Sequence, residues 1–190
     1  MPVSSNIKSS SPLQLFIDLH AKPVARHRVN IVPLHFEKKV KDGIERHMKL
    51  GVRERVPLNT PVGWQSALVV TTKKDGTPRR TVDFKVLIKH RKRQTHGART
   101  PFVIAFSVPA DIYKTTLDYW NGYHLVPIKE EDRHCTTFVT QWGRFRYKTT
   151  AQEFLAAGDG YNHRFDEVTR GLRNHDRCVD DTIIWAETIE

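Results

Sequence analysis

The chain has 190 residues, enough for one domain with or without an extension, and 38% of them are hydrophobic, a lean supply for a core. Lys and Arg total 31 against 21 Asp and Glu, and the formal charge of +10 favours a polyanionic partner, most simply nucleic acid. No apolar run approaches the ~20 residues of a bilayer-spanning helix, Met1 to Leu13 has no secretion-type apolar stretch, and two cysteines make no disulfide framework. The expectation is therefore a soluble intracellular chain with no membrane partner.

Residues 1–12 are rich in Ser and Pro and read as disordered, with the tail taken through residue 19. From Phe16 to Val32, His, Arg and Pro recur without a period, which suggests an extended arm lying on something else. Phe36, Val40, Ile44 and Met48 then recur every fourth residue before Gly51, the pattern of an amphipathic helix with a glycine stop. Ser66–Thr72, the turn Lys73-Lys74-Asp75-Gly76 and Arg79–Phe84 predict a β-hairpin with a basic tip.

Residues 85–101 are strongly basic and predict a surface loop or irregular turn. Its Lys85, Lys89, Arg91, Lys92 and Arg93 are candidates for neutralising a nucleic-acid backbone, although a solvated loop has the same composition. Lys114–Asp118 predicts a strand ending on an acid, followed by an aromatic-rich turn at Tyr119–Tyr123. A second hairpin spans Thr136–Thr140 and Phe145–Thr149. Tyr161, Phe165, Val168 and Leu172 are spaced as a helix that Asp159 would cap.

The last feature is Cys178-Val179-Asp180-Asp181, between a basic stretch and the apolar run Thr182–Trp185, which predicts a tight hairpin with two acids at its tip. Two carboxylates ~4 Å apart repel by about 4 kcal/mol at an effective dielectric of ~20, a cost that a solvated turn or a cation would offset. The alternative of a cation gains from Asp118. The hairpin and helix between the two segments would let their strands lie side by side, bringing three carboxylates to one edge. Oxygen donors without clustered histidines favour Mg2+ or Mn2+ over zinc. His124, His134, His163 and His175 with Cys135 and Cys178 lack paired metal-ligand spacing, which disfavours a zinc module, and packing explains Cys178 better than a catalytic thiol.

Asp118 with Tyr123, the Cys-x-Asp-Asp box at 178–181 and the segment Lys73–Gly76 with Arg79 and Val82-Asp83-Phe84 resemble the palm and fingers of reverse transcriptases. Thr77–Phe84, Trp120–His124, Glu131–His134 and Gly158–Tyr161 make the chain similar to Pol polyproteins of gypsy-like long-terminal-repeat retrotransposons, over roughly residues 20–190. The resemblance implies an α+β fold of polymerase right-hand type: a ferredoxin-like antiparallel sheet with packed helices. It implies an arm and fingers over 20–110 and a partial palm over 111–190, with thumb, connection and RNase H absent.

The resemblance also implies RNA-directed DNA polymerase chemistry with dNTPs, an RNA or DNA template-primer, and other Pol domains or a second subunit as partners, in a cytoplasmic particle or the nucleus. Catalytic roles fall to Asp118, Asp180 and Asp181, with the Tyr119 carbonyl also at the metal. Lys73 or Lys74 and Arg79 would clamp the triphosphate, Tyr123 would gate the sugar, and Gln152 would touch it. Two departures stand out: Glu153 occupies a position that is Gly in the family, and Ile88 stands where the family has Asn. The alternative expectation is an inactive relic that only binds nucleic acid, and the isolated chain is expected to polymerise weakly or not at all.

Overall fold

The computed structural model describes residues 12–92, 99–118, 122–151, 155–178 and 181–188. Helix α1 (Leu34–Lys49) buries Phe36, Val40 and Ile44, the stripe its four-residue spacing predicts. Its end is a Schellman motif: Val52 N–H donates to His47 O and Gly51 N–H to Met48 O, with Gly51 at a φ of 73°. Arg46 and Lys49 in the last turn complement the helix dipole.

A five-stranded sheet follows the order β1-β6-β5-β2-β3, from β1 (Arg53–Val56), β2 (Ser66–Thr72), β3 (Pro78–Val82), β5 (Phe138–Thr140) and β6 (Gly143–Tyr147). The β2–β3 and β5–β6 pairs are the two expected hairpins, and β2 joins them by pairing parallel to β5. The face toward α1 is aromatic: Phe84, Phe138, Phe145 and Tyr147 are all essentially buried. Each fully buried Phe contributes roughly 1.5–3 kcal/mol. A separate three-stranded antiparallel sheet has the order β4-β8-β7, from β4 (Tyr113–Asp118), β7 (His175–Cys178) and β8 (Asp181–Ala186). The mixed α and β architecture is the expected class.

Three expectations need correction. Residues 12–19 are not a loose tail: Leu13 bridges to Ile128, Ile17 bridges to Arg91, and Leu15 is buried with its N–H on the Asp132 carboxylate. The Ser and Pro lie in residues 1–12, and Leu13, Leu15 and Ile17 of the apolar run that follows them are what pack. The basic tract opens as helix α2 (Lys85–Lys89), because Val86, Leu87 and Ile88 supply an inward face and Leu87 is buried. The short helix α3 (Pro101–Ser107) follows, with Thr100 accepting from Val103 N–H as its cap. The last helix, α4 (Leu155–Val168), already contains Asp159, which is buried and is no cap, while Val168 and Leu172 are exposed. The arm from Phe16 to Val32 is extended as expected and bridges at Ala25 to Gln65.

Candidate active site

Strands β4 and β8 are rich in β-branched residues, Thr115 and Thr116 against Thr182, Ile183 and Ile184. Their ladder runs from Tyr113 opposite Ala186 to Asp118 opposite Asp181. The last residue of β4 and the first of β8 are thus register partners. On its other side Asp181 is opposed by Cys178, the last residue of β7, so the expected 178–181 hairpin is flanked by paired strands. Directly opposed residues in antiparallel strands have Cα atoms about 4.5–5.5 Å apart.

Two carboxylate-bearing positions distant in sequence therefore meet at one end of the small sheet. Asp181 is exposed there. The side chain of Asp118 and all of Tyr119 and Asp180 lie outside the described residues. Among the described residues no cluster of three or more His, Cys, Asp or Glu side chains is gathered for a metal. The Asp181 carboxylate at this edge is the type of oxygen donor that a hard divalent cation, Mg2+ or Mn2+, takes. Tyr123 lies in the 3-10 turn Gly122–Leu125, five positions after Asp118 at the end of β4, and its side chain, like Gln152 and Glu153, lies outside the described residues.

The basic hairpin tip belongs to the larger sheet. Lys73 N–H donates to Thr77 O and Gly76 N–H to Lys73 O, and Gly76 takes a φ of 78°. The Asp75 carboxylate accepts from both Thr77 Oγ1 and Thr77 N–H, and these bonds hold its carboxyl below the usual range. The loop is fixed by its own backbone and Asp75, leaving Lys73 and Lys74 exposed. Arg79, opposite Thr71, is exposed as well. Its neighbour Arg80 lies against α1: a Cβ at Gly43 would sit 1.0 Å from Arg80 Nη1, so the guanidinium rests on the glycine itself. Consecutive strand residues point to opposite faces, so packing Arg80 on α1 presents Arg79 on the other side.

No protein-family model matches the sequence. The fold is similar to that of native prototype foamy virus protease–reverse transcriptase, with a TM-score of 0.79 and 20% identity over 91% of this chain and 23% of that one. It is similar to the foamy viral enzyme in complex with an RNA/DNA hybrid at a TM-score of 0.79, 18% identity and the same coverage. With double-stranded DNA bound, that enzyme matches at a TM-score of 0.75 and 17% identity over 94% of this chain and 34% of that one.

The chain has a reverse-transcriptase-like fold. It spans about a quarter to a third of the length of the foamy virus chains it matches.

Within this reverse-transcriptase-like fold the basic tract divides by exposure. Lys85, Lys89 and Lys92 are exposed, whereas Arg91 is half-buried where the backbone bridges to Ile17; Arg93 lies outside the described residues. The sequence reading missed a basic cluster behind the hairpin. Arg53 of β1 is buried, its guanidinium 4.4 Å from the Tyr147 ring centroid and 5.2 Å from that of Phe138, and it donates to the Tyr147 hydroxyl. His47 packs edge-on to His124 at 5.3 Å. Burial first, then the positive charges of Arg53 and Arg80, push the His47 pKa down to about 3. Burial also lowers that of His124, whose Nδ1 lies 2.8 Å from Thr150 O. In sequence, Arg-Glu-Arg-Val reads as a polar strand; the signal for burial was only its position between Val52 and Val56.

Cys135 is buried, and burial, with the Asp132 charge, pushes its thiol up to about 12. It stays protonated at neutral pH and acts as a packing group. Among the described residues no helix is long and apolar enough to cross a membrane.

Proposed function

We propose that the chain carries the nucleotidyl-transfer centre of a reverse transcriptase, adding dNTPs to a primer 3′ end on an RNA or DNA template. The observation that carries this reading is the pairing of Asp118 with Asp181 across β4 and β8, next to the hairpin that contains Asp180 in sequence. The order of the sequence boxes supports descent from a gypsy-like retrotransposon Pol polyprotein, with other Pol domains or a second subunit as partners.

Asp118 and Asp180 hold Mg2+ or Mn2+ in this reading, with Asp181 completing the set and Tyr119 lending its carbonyl. When bound, the ions supply neutralisation of the charge that develops on the attacking and leaving oxygens. Lys73 or Lys74, with Arg79, binds the triphosphate, and their exposure on a rigid turn supports that role. In this reading Tyr123 would be the gate against a ribose 2′-hydroxyl, and Gln152 would be the contact to the sugar. Lys85, Lys89, Arg91, Lys92 and Arg93 neutralise template-primer phosphates. The foamy virus enzyme's complexes with an RNA/DNA hybrid and with DNA support a nucleic-acid partner of this kind.

Primer extension on RNA and DNA templates in Mg2+ tests the proposal. Extension is expected to be weak, because the match, over 91% of this chain, takes in 23% of the foamy virus chain. Asp180→Asn should abolish it; extension that survives this change overturns the proposal. A second reading, nucleic-acid binding without turnover, draws on Glu153, which adds a negative charge beside the proposed nucleotide contact Gln152.

A further inference from the structure

Beside β7 lies a cavity of about 210 Å³ lined by Arg99, Phe165, Asp166, His175, Asp176 and Arg177. Arg99 and Asp166 flank it as exposed residues, while Phe165 and Arg177 are buried. The acids of its wall are engaged. Asp176 accepts from Arg99 Nη1 at 2.8 Å and from the Arg177 backbone N–H at 2.8 Å. Asp166 accepts from Arg177 Nε at 3.1 Å and Nη2 at 3.0 Å. Both of these Arg177 bonds leave its Nη1 over, and that atom is buried without a partner, as is His175 Nδ1. A buried, unsatisfied polar group costs stability, and a guanidinium nitrogen costs more than a neutral one.

The unmet capacity defines the ligand. Arg177 Nη1 can only donate, so the ligand must present an acceptor to it. His175 Nδ1 accepts in one neutral tautomer, so it can take an N–H next to that acceptor. His175 and Arg177 stand two residues apart on one strand, on the same face and about 7 Å from each other, a span that one planar group with adjacent C=O and N–H can bridge. The two ion pairs balance the wall charge, and two carboxylates would repel a phosphate, so a neutral ligand is favoured. A 150 Å³ apolar cavity accommodates benzene, and by that measure 210 Å³ suits about eight or nine ring-type heavy atoms. The Arg177 guanidinium is packed on the Phe165 ring, 5.4 Å from its centroid, which holds it in place for in-plane hydrogen bonding, and Arg99 also lines the cavity.

We propose that this cavity binds one uracil- or thymine-type base, its carbonyl accepting from Arg177 Nη1 and its ring N–H donating to His175 Nδ1. The base comes from an unpaired stretch of a bound strand or from a free nucleoside. The site lies on the strand that leads into the 178–181 hairpin, yet uses none of the proposed catalytic residues.

The test uses the full 190-residue chain, with fluorescence anisotropy on oligo(U), oligo(C) and an abasic strand of equal length. Nitrogen-15 NMR on the histidine rings during uridine titration provides a second readout. Oligo(U) should bind at least tenfold tighter than the abasic strand and more tightly than oligo(C), with His175→Phe or Arg177→Lys removing the preference. Uridine alone should shift the His175 ring resonances in the folded wild-type chain, so the result does not depend on a variant that folds. A uridine shift with no oligo(U) preference assigns the site to free nucleosides. Equal binding of all strands together with unshifted His175 resonances overturns the proposal.

Discussion

Asp118 and Asp181 are register partners, the last residue of β4 facing the first residue of β8. A one-residue slip in that ladder would send every side chain on one strand to the other face, so the pairing fixes which acids share an edge. Thr182, buried beside Asp181, helps hold the register. Thr182→Asp should therefore lower stability by about 1–3 kcal/mol, the cost of an unsatisfied buried polar group, and also weaken any divalent-cation binding at the edge. Chemical denaturation and metal titration of the same variant check both effects.

The exposed lysines of the basic tract should act through charge alone. Each phosphate contact contributes about −0.9 to the slope of log K against log salt for duplex DNA. Replacing Lys85, Lys89 and Lys92 with Ala should reduce that slope by roughly 2–3 in magnitude if all three contact phosphate. Anisotropy over a salt series measures it; an unchanged slope assigns these lysines to solvation.

Gly43 and Arg80 should be energetically coupled, because the guanidinium occupies the space a Cβ would take. Gly→Ala inside a helix is worth about 1 kcal/mol of propensity. Gly43→Ala should show that gain in an Arg80→Ala background and lose it in the wild type, where the guanidinium must be displaced. A double-mutant cycle by denaturant unfolding reads the coupling directly.

Acid should destabilise the cluster behind the hairpin. The His47 pKa is lowered in the folded chain to about 3 from 6.5, so the unfolded chain binds more protons between those values. The associated stability is intact above about pH 6.5 and is lost as pH falls toward 3. His124, shifted in the same direction, adds to the loss. His47→Gln should flatten the decline of the denaturation midpoint between pH 6.5 and 4 without abolishing it.

What was legible in the sequence follows from how local each signal is. The β2–β3 hairpin was readable because Asp75-Gly76 encodes its turn and β-branched residues flank it, and α1 was readable from one apolar stripe and Gly51. The side-by-side placement of β4 and β8 followed from the lengths between them. The packing of Leu15 was missed because the disorder read from the Ser and Pro of residues 1–12 was carried on over the apolar run that follows, and α2 was hidden by the charges around Val86–Ile88. Asp159 looked like a cap because acids favour that position, yet it lies inside α4, where tertiary contacts outweigh local preference. The burial of Arg53 had no local signal at all, since its partners Phe138 and Tyr147 come from strands far along the chain.

The central claim is that the edge joining Asp118 to Asp181 is a divalent-cation site serving a nucleotide. Electron paramagnetic resonance of Mn2+ with the purified chain tests it most directly, with and without dNTP. The account predicts bound Mn2+ that tightens about tenfold or more when dNTP is added, with Asp118→Ala and Asp181→Asn each removing that response. Mn2+ binding that ignores dNTP, or that is unchanged in both variants while nucleic-acid binding responds to salt alone, would contradict it.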